Sequence, residues 1–119
     1  MMSQLTDQEL HNLAMNIVGK DLEEQGYEFL GVNSDFKKDP QFVALRNKKL
    51  HFVVVRAIEY PHDPRDIDMI FLETVKEQAL KFNARTFYAG VGLANSKDYE
   101  LPVMRSEDYV VNYPGLKEI

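Results

Sequence analysis

The densest group of side chains able to do chemistry is His62, Asp63, Asp66 and Asp68, with Glu59 close by in the chain. Oxygen and imidazole donors spaced this way can hold a divalent cation. The same residues also describe a helix N-terminus, where acids cap free N–H groups and face the positive end of the dipole. The helix reading is the stronger, and a metal site on His62, Asp63 and Asp66 stays as the lesser alternative. The other histidines stand apart. His51 alternates with Phe52 among strand-forming residues, so it is either a packed core histidine, the favoured reading, or a pocket residue. His11 flanks an apolar helical stripe and is expected on the surface. No G-x-S-x-G signature provides a nucleophile. The chain has no cysteine, which removes disulfides, thiolate–zinc sites, iron–sulfur clusters and cysteine nucleophiles. Gly90-Val91-Gly92 is followed by Leu93-Ala94-Asn95, without the third glycine of a dinucleotide-binding loop. These patterns lead us to expect no catalytic residue and no cofactor.

Charge supplies a second candidate surface. The formal charge of −5 is unevenly spread: residues 1–35 carry −6, residues 36–58 carry +5 and residues 59–119 carry −4. The basic segment holds Lys37, Lys38, Arg46, Lys48, Lys49 and Arg56 against Asp39 alone. One reading is a nucleic-acid or partner surface. The other is a hairpin with lysines on its exposed face and turn, where they discourage edge pairing. A sequence pI near 5.1 weighs against nucleic acid. Six tyrosines could line an interface, although Tyr27, Tyr88, Tyr109 and Tyr113 fall in expected strands, where packing explains them.

The elements that must position these residues follow from periodicity. Thr6 and Glu9 form a capping box, and Leu5 and Leu10 fall at the positions of a hydrophobic staple. Leu10, Leu13, Ala14, Ile17 and Val18 then recur at helical spacing, Leu22 extends the stripe, and Gly26 is placed to end it. Gly19 inside this helix implies close approach to a sheet. Tyr27–Val32 reads as a strand, 33–40 as a loop, Gln41–Arg46 as a second strand and Asn47-Lys48-Lys49 as a turn. Leu50–Ile58 is apolar on both faces through Phe52-Val53-Val54-Val55, as a buried central strand should be. Asp63 is placed to cap a second helix with Pro64 in its first turn. Its stripe runs from Ile67 through Ile70, Phe71, Thr74, Val75 and Ala79 to Phe82. Arg85–Ala94 is a fourth strand whose Gly90 and Gly92 leave one face bare. Tyr109–Tyr113 is a short extra strand. The order α-β-β-β-α-β-(β) describes an α+β domain with helices against a mixed sheet, an α/β sandwich.

Hydrophobic residues make up 45% and charged residues 28% of 119 residues, which suits one folded domain over 1–119 with a real core. No apolar run approaches the ~20 residues of a membrane span. The start MMSQLTDQEL lacks a basic region and an apolar stretch, so a cytoplasmic domain without membrane insertion is expected.

The stretch AMNIVGKDLEEQGYEFLGVN (14–33) resembles the opening of small Holliday-junction-resolvase-like proteins of the restriction-endonuclease-like fold. Those chains run from a helix ending in Gly-Tyr into a strand and then a hairpin. QFVALRNKKLHFVVVRA (41–57) occupies the hairpin position. The resemblance extends in layout from about Leu10 to Leu93. It implies a PD-(D/E)xK nuclease motif on the hairpin, with carboxylates from adjacent strands holding a divalent metal and a Lys acting on the attacking water. Here the Asp position falls on Val43 and the tripeptide on Val54-Val55-Arg56. Valine cannot ligate a metal, and Arg is no equivalent of Lys. The resemblance therefore implies a member of the fold that has lost its catalytic motif. The chain is also similar, more weakly, to short bacterial proteins that carry the label of the NADH-binding component of the sodium-translocating NADH:quinone reductase. That component holds an iron–sulfur cluster, flavin and NADH, and none of those sites has its residues here. The expectation is a non-catalytic interaction module on a nuclease-like scaffold, with an unknown protein partner or self-association through a sheet edge. Its alternatives are salt-sensitive nucleic-acid binding through 36–58 without cleavage, and an accessory role under the reductase label.

Overall fold

The computed structural model describes residues 3–36 and 38–119. Its elements are α1 (Asp7–Glu24), β1 (Glu28–Val32), β2 (Phe42–Arg46), β3 (Lys49–Glu59), α2 (Met69–Leu80), β4 (Arg85–Asn95), β5 (Tyr109–Asn112) and β6 (Lys117–Glu118). They build one six-stranded sheet in the order β1-β2-β3-β4-β5, with β6 also paired to β4. β3 and β4 run parallel, and the other pairings are antiparallel. A parallel pair needs a crossover, and α2 is that crossover. The class is α+β with a mixed sheet.

The two faces of β3 face different helices. Val53 and Val55 join Leu10, Ala14, Val18 and Leu22 of α1 in the larger core. Val54 packs with Leu72 and Val75 of α2. All three valines are fully buried, as the unbroken apolar run requires. The bare surface at Gly19 admits Phe42 of β2, whose ring would lie 3.4 Å from an added Cβ. The capping box of Thr6 and Glu9 is present, and Gly26 follows the end of α1 with φ +84°. Asn47 and Lys48 form a two-residue turn with φ of 54° and 63°, the left-handed pair that matches strand twist.

α2 corrects an expectation. It begins at Met69 with Asp68 as its N-cap and ends at Leu80; Asp63 and Pro64 do not start it. Pro64 is buried against the bare side of β4. An added Cβ at Gly90 would lie 2.2 Å from the Pro64 carbonyl oxygen, and one at Gly92 would lie 3.2 Å from its ring. Pro64 packed in that groove holds the chain off the helical path until Asp68. The expected stripe holds only in part: Val75 and Ala79 are buried and Phe71 half-buried, but Leu72 is buried in place of Ile70, which is 87% exposed, and Thr74 and Phe82 are exposed, because the helix starts late once Pro64 is held against β4.

The tail is tied back at several points. Leu5 N–H donates to the Val103 carbonyl at 3.0 Å. Arg105 pairs with Glu9, and Tyr113 donates its hydroxyl to Asp21 at 2.7 Å. β6 is too short and too charged to be read from sequence; its pairing with β4 and the ion pair of Glu118 with Arg85 hold it. Among the described residues, no helix is long and apolar enough to cross a membrane.

Candidate functional site at the open end of the central strand

β2 ends before β3 does. Their ladder begins at Arg46 opposite Lys49 and stops at Phe42 opposite Val53. Residues of a strand alternate the side to which their N–H and C=O point. Val53, Val55, Ala57 and Glu59 therefore face away from β4, and beyond Val53 no strand among the described residues meets them. The loop before β2 replaces the missing strand with side chains. Gln41 N–H donates to the Val53 carbonyl at 3.0 Å. The Gln41 side chain is fully buried, and its Oε1 accepts from Val55 N–H at 2.7 Å. Its Nε2 donates to Asp39 Oδ1 at 2.7 Å and to the Lys38 carbonyl at 3.1 Å. A buried amide this well satisfied rigidifies the chain around it.

Arg56 completes the network. Its Nη1 and Nη2 donate to the two oxygens of Asp39 at 2.7 and 2.8 Å, and Nη1 also donates to the Val55 carbonyl at 2.9 Å. Its guanidinium lies 5.3 Å from the ring centre of Phe71. The pair is largely enclosed, with side-chain exposures of 29% for Arg56 and 14% for Asp39. Burial pushes the Asp39 carboxyl up, but hydrogen bonds from Arg56 and Gln41 outweigh it and hold Asp39 below its usual value. Breaking such a pair from one side costs about 2 kcal/mol or more, because the survivor stays enclosed and charged.

Beside this network lies a cleft of about 140 Å³ lined by His11, Phe36, Arg56 and Ala57, with Asp7 and Glu59. His11 corrects a second expectation. It is 2% exposed, because the loop before β2 brings the Phe36 ring over it, with ring centres 6.0 Å apart. Its Nε2 is buried without a hydrogen-bond partner among the described residues. Burial is the main cause that lowers its pKa, and the charge of Arg56 adds to it. A neutral imidazole, a committed guanidinium and the outward backbone of Ala57 can bind. Both Asp39 oxygens are occupied by Arg56, so Asp39 is a poor metal ligand.

The candidate positions from sequence fall as follows. Val54 is fully buried under α2, and Val43 packs with Phe52 on the same face. The carboxylate that meets Arg56 is Asp39, four residues before Val43 in the chain. Arg46 stacks over Tyr27 at 4.6 Å and donates to Gln25. Lys49 donates to Asn83 at 3.3 Å. Arg46, Lys48 and Lys49 thus gather at the hairpin turn. Lys38 and Arg56 lie at the other end, roughly 20 Å away at about 3.3 Å per residue. Lys37 lies outside the described residues. Asp63 pairs with Arg65, and among the described residues no group of three or more His, Asp or Glu is arranged to hold a metal ion. His51 is the packed core histidine: it lies between Tyr27 and Phe87, and its Nδ1–H donates to the Lys49 carbonyl at 2.9 Å. Sequence reasoning missed Gln41 and the role of Asp39. The one available signal was a lone acid in a basic segment.

A second cleft of about 320 Å³ opens at the carboxyl ends of β3 and β4, lined by Tyr60, His62, Gly92, Tyr99, Val110 and Asn112. The Tyr60 and Tyr99 rings are 5.4 Å apart.

Comparison with known families gives a match over most of the chain. The family described as Domain of unknown function (DUF8840) matches residues 8–119. No curated protein matches the chain.

Proposed function

From the premise that the chain belongs to the Domain of unknown function (DUF8840) family, we propose that it is a non-catalytic interaction module on a restriction-endonuclease-like scaffold. The observation that carries this reading is the bidentate Arg56–Asp39 pair. It stands on the strand where the resemblance expects metal-binding and proton-handling residues. The element order and a central β3 between the two helices support the scaffold. Val54 in the apolar core supports the loss of chemistry. A guanidinium that engages both oxygens of its carboxylate closes that carboxylate to a metal and makes a fixed structural joint. The cleft beside it offers a small, mostly apolar surface edged by Asp7, His11, Arg56 and Glu59.

Nucleic-acid binding through the basic hairpin draws less support. Its charges divide between two ends, and Arg56 is neutralised by Asp39.

Incubating the purified protein with linear and branched DNA in Mg²⁺ or Mn²⁺ tests the reading. No cleavage is expected. Cleavage that co-purifies with the protein and is lost in Asp39→Asn would overturn it.

A further inference from the structure

The cleft beside the Arg56–Asp39 pair gathers hydrogen-bond acceptors and negative charge that nothing answers. His11 lines it, and its Nε2 is buried with no hydrogen-bond partner among the described residues. A buried polar atom left unpaired costs free energy that a bound partner recovers. Asp7 and Glu59 edge the same cleft. Neither carboxylate belongs to an ion pair among the described residues. The cation in the cleft wall, Arg56, is already neutralised, because both its terminal nitrogens donate to Asp39. Ala57 turns its backbone away from β4, and its carbonyl meets no strand among the described residues. Leu10 and Phe36 supply apolar wall.

We propose that this cleft binds a primary alkylammonium group, which donates to His11 Nε2, has its charge balanced by Asp7 and Glu59, and lays its alkyl stem against Leu10 and Phe36. Each part of the ligand follows from the cleft. Two carboxylates without counter-ions attract a cation and repel an anion. A neutral imidazole presents Nε2 as an acceptor in its Nδ1–H tautomer, and an ammonium brings three N–H donors to such a set of acceptors. A metal ion is the poorer occupant, since no group of three or more His, Asp or Glu among the described residues is arranged to hold one. Mostly apolar walls suit methylene groups, as they do for the stems of lysines. Volume sets the size of the ligand. Drug-sized molecules take clefts of roughly 300–1,000 Å³, so about 140 Å³ admits a chain end and little more. Residues 1–35, which supply Asp7, Leu10 and His11, sum to −6, a field that draws cations. A lysine side chain of a peptide and a free alkylamine share this chemistry. The inference names a ligand for the interaction-module reading and rests on that reading only for the closed Arg56–Asp39 pair.

Titration of the whole chain with n-butylammonium chloride at constant ionic strength, followed by NMR, tests it. Saturable shifts are expected at the His11 imidazole and at the Ala57 and Glu59 amides, with a dissociation constant in the millimolar range. Tetramethylammonium, a cation with no N–H to donate, should give none. His11→Leu should weaken binding roughly tenfold, read at the Ala57 and Glu59 amides. Glu59→Gln, an exposed change that keeps the fold, should weaken it about threefold. A capped pentapeptide with one central lysine separates the two sources: tighter binding than n-butylammonium assigns the cleft to a peptide side chain, and equal or weaker binding assigns it to a free amine. No saturable shift with either probe would overturn the proposal. So would equal binding of tetramethylammonium, or binding undiminished in both variants. DNA cleavage by a wild type that still gives the saturable shifts would overturn the interaction-module reading and keep the ammonium site.

Discussion

The two ends of β3 each bury one histidine, and the two are treated in opposite ways. At the closed end β2 supplies a full ladder, and His51 is satisfied: its Nδ1–H has the Lys49 carbonyl, and its ring stacks with Phe87 and meets the edge of Tyr27. At the open end β2 has stopped, and side chains take over the work of a strand. His11 there is as deeply buried, but its Nε2 has no partner among the described residues. Burial alone therefore does not report function. An orphan group beside a cleft is a stronger indication of a binding surface than a buried group that is fully paired.

The contrast is easiest to break at Gln41, which links Val55, Asp39 and Lys38. Gln41→Ala should destabilise the fold by about 3 kcal/mol, because it leaves a cavity and several unpaired polar groups. Urea unfolding reads this directly, and a loss under about 0.5 kcal/mol would mean water replaces the side chain without cost.

The histidines themselves sharpen the comparison. His51→Ala removes ring packing and a hydrogen bond, and is expected to cost about 2 kcal/mol. His11→Leu removes a buried polar atom with no partner among the described residues, so it should be neutral or stabilise by up to about 1 kcal/mol. Equal losses at both positions would show that His11 holds a structural bond in solution.

The smallest effect lies in pH dependence. Burial is the leading cause that depresses both histidines below the usual value of 6.5. The unfolded chain then takes up protons before the folded one does. Stability is complete above 6.5 and falls as the pH drops below it, down to the lower folded values. Each histidine contributes a slope of at most about 1.4 kcal/mol per pH unit within that window. His11→Leu should flatten the fall below pH 6.5. Curves of equal steepness for wild type and variant would remove His11 from the account. Asp39 acts in a lower window: its depressed pKa adds stability above 3.8 that is lost as the pH falls through the folded value.

Much of the fold is legible in the sequence. The capping box of α1, the glycine at its end and the close approach at Gly19 are local signals with local causes. The double-sided apolar run of β3 declares a central strand. Gly90 and Gly92 announce that something packs against β4, though not that it is Pro64. The misreadings share one origin. Asp63 and Pro64 satisfy every local rule for a helix start, and His11 sits where a surface residue belongs. In both cases a distant partner decides: β4 holds Pro64, and the loop carrying Phe36 roofs His11.

The sequence by itself determined the element order as far as β5, the α+β class and the absence of thiol chemistry. These depend on residue type and on periods of two or 3.6 residues. Only the tertiary structure decided that Arg56 meets Asp39 and that Gln41 stands in for a strand. Each of these depends on where two strands stop relative to one another. Strand lengths and registers are set by packing across the whole sheet, and no local pattern encodes them.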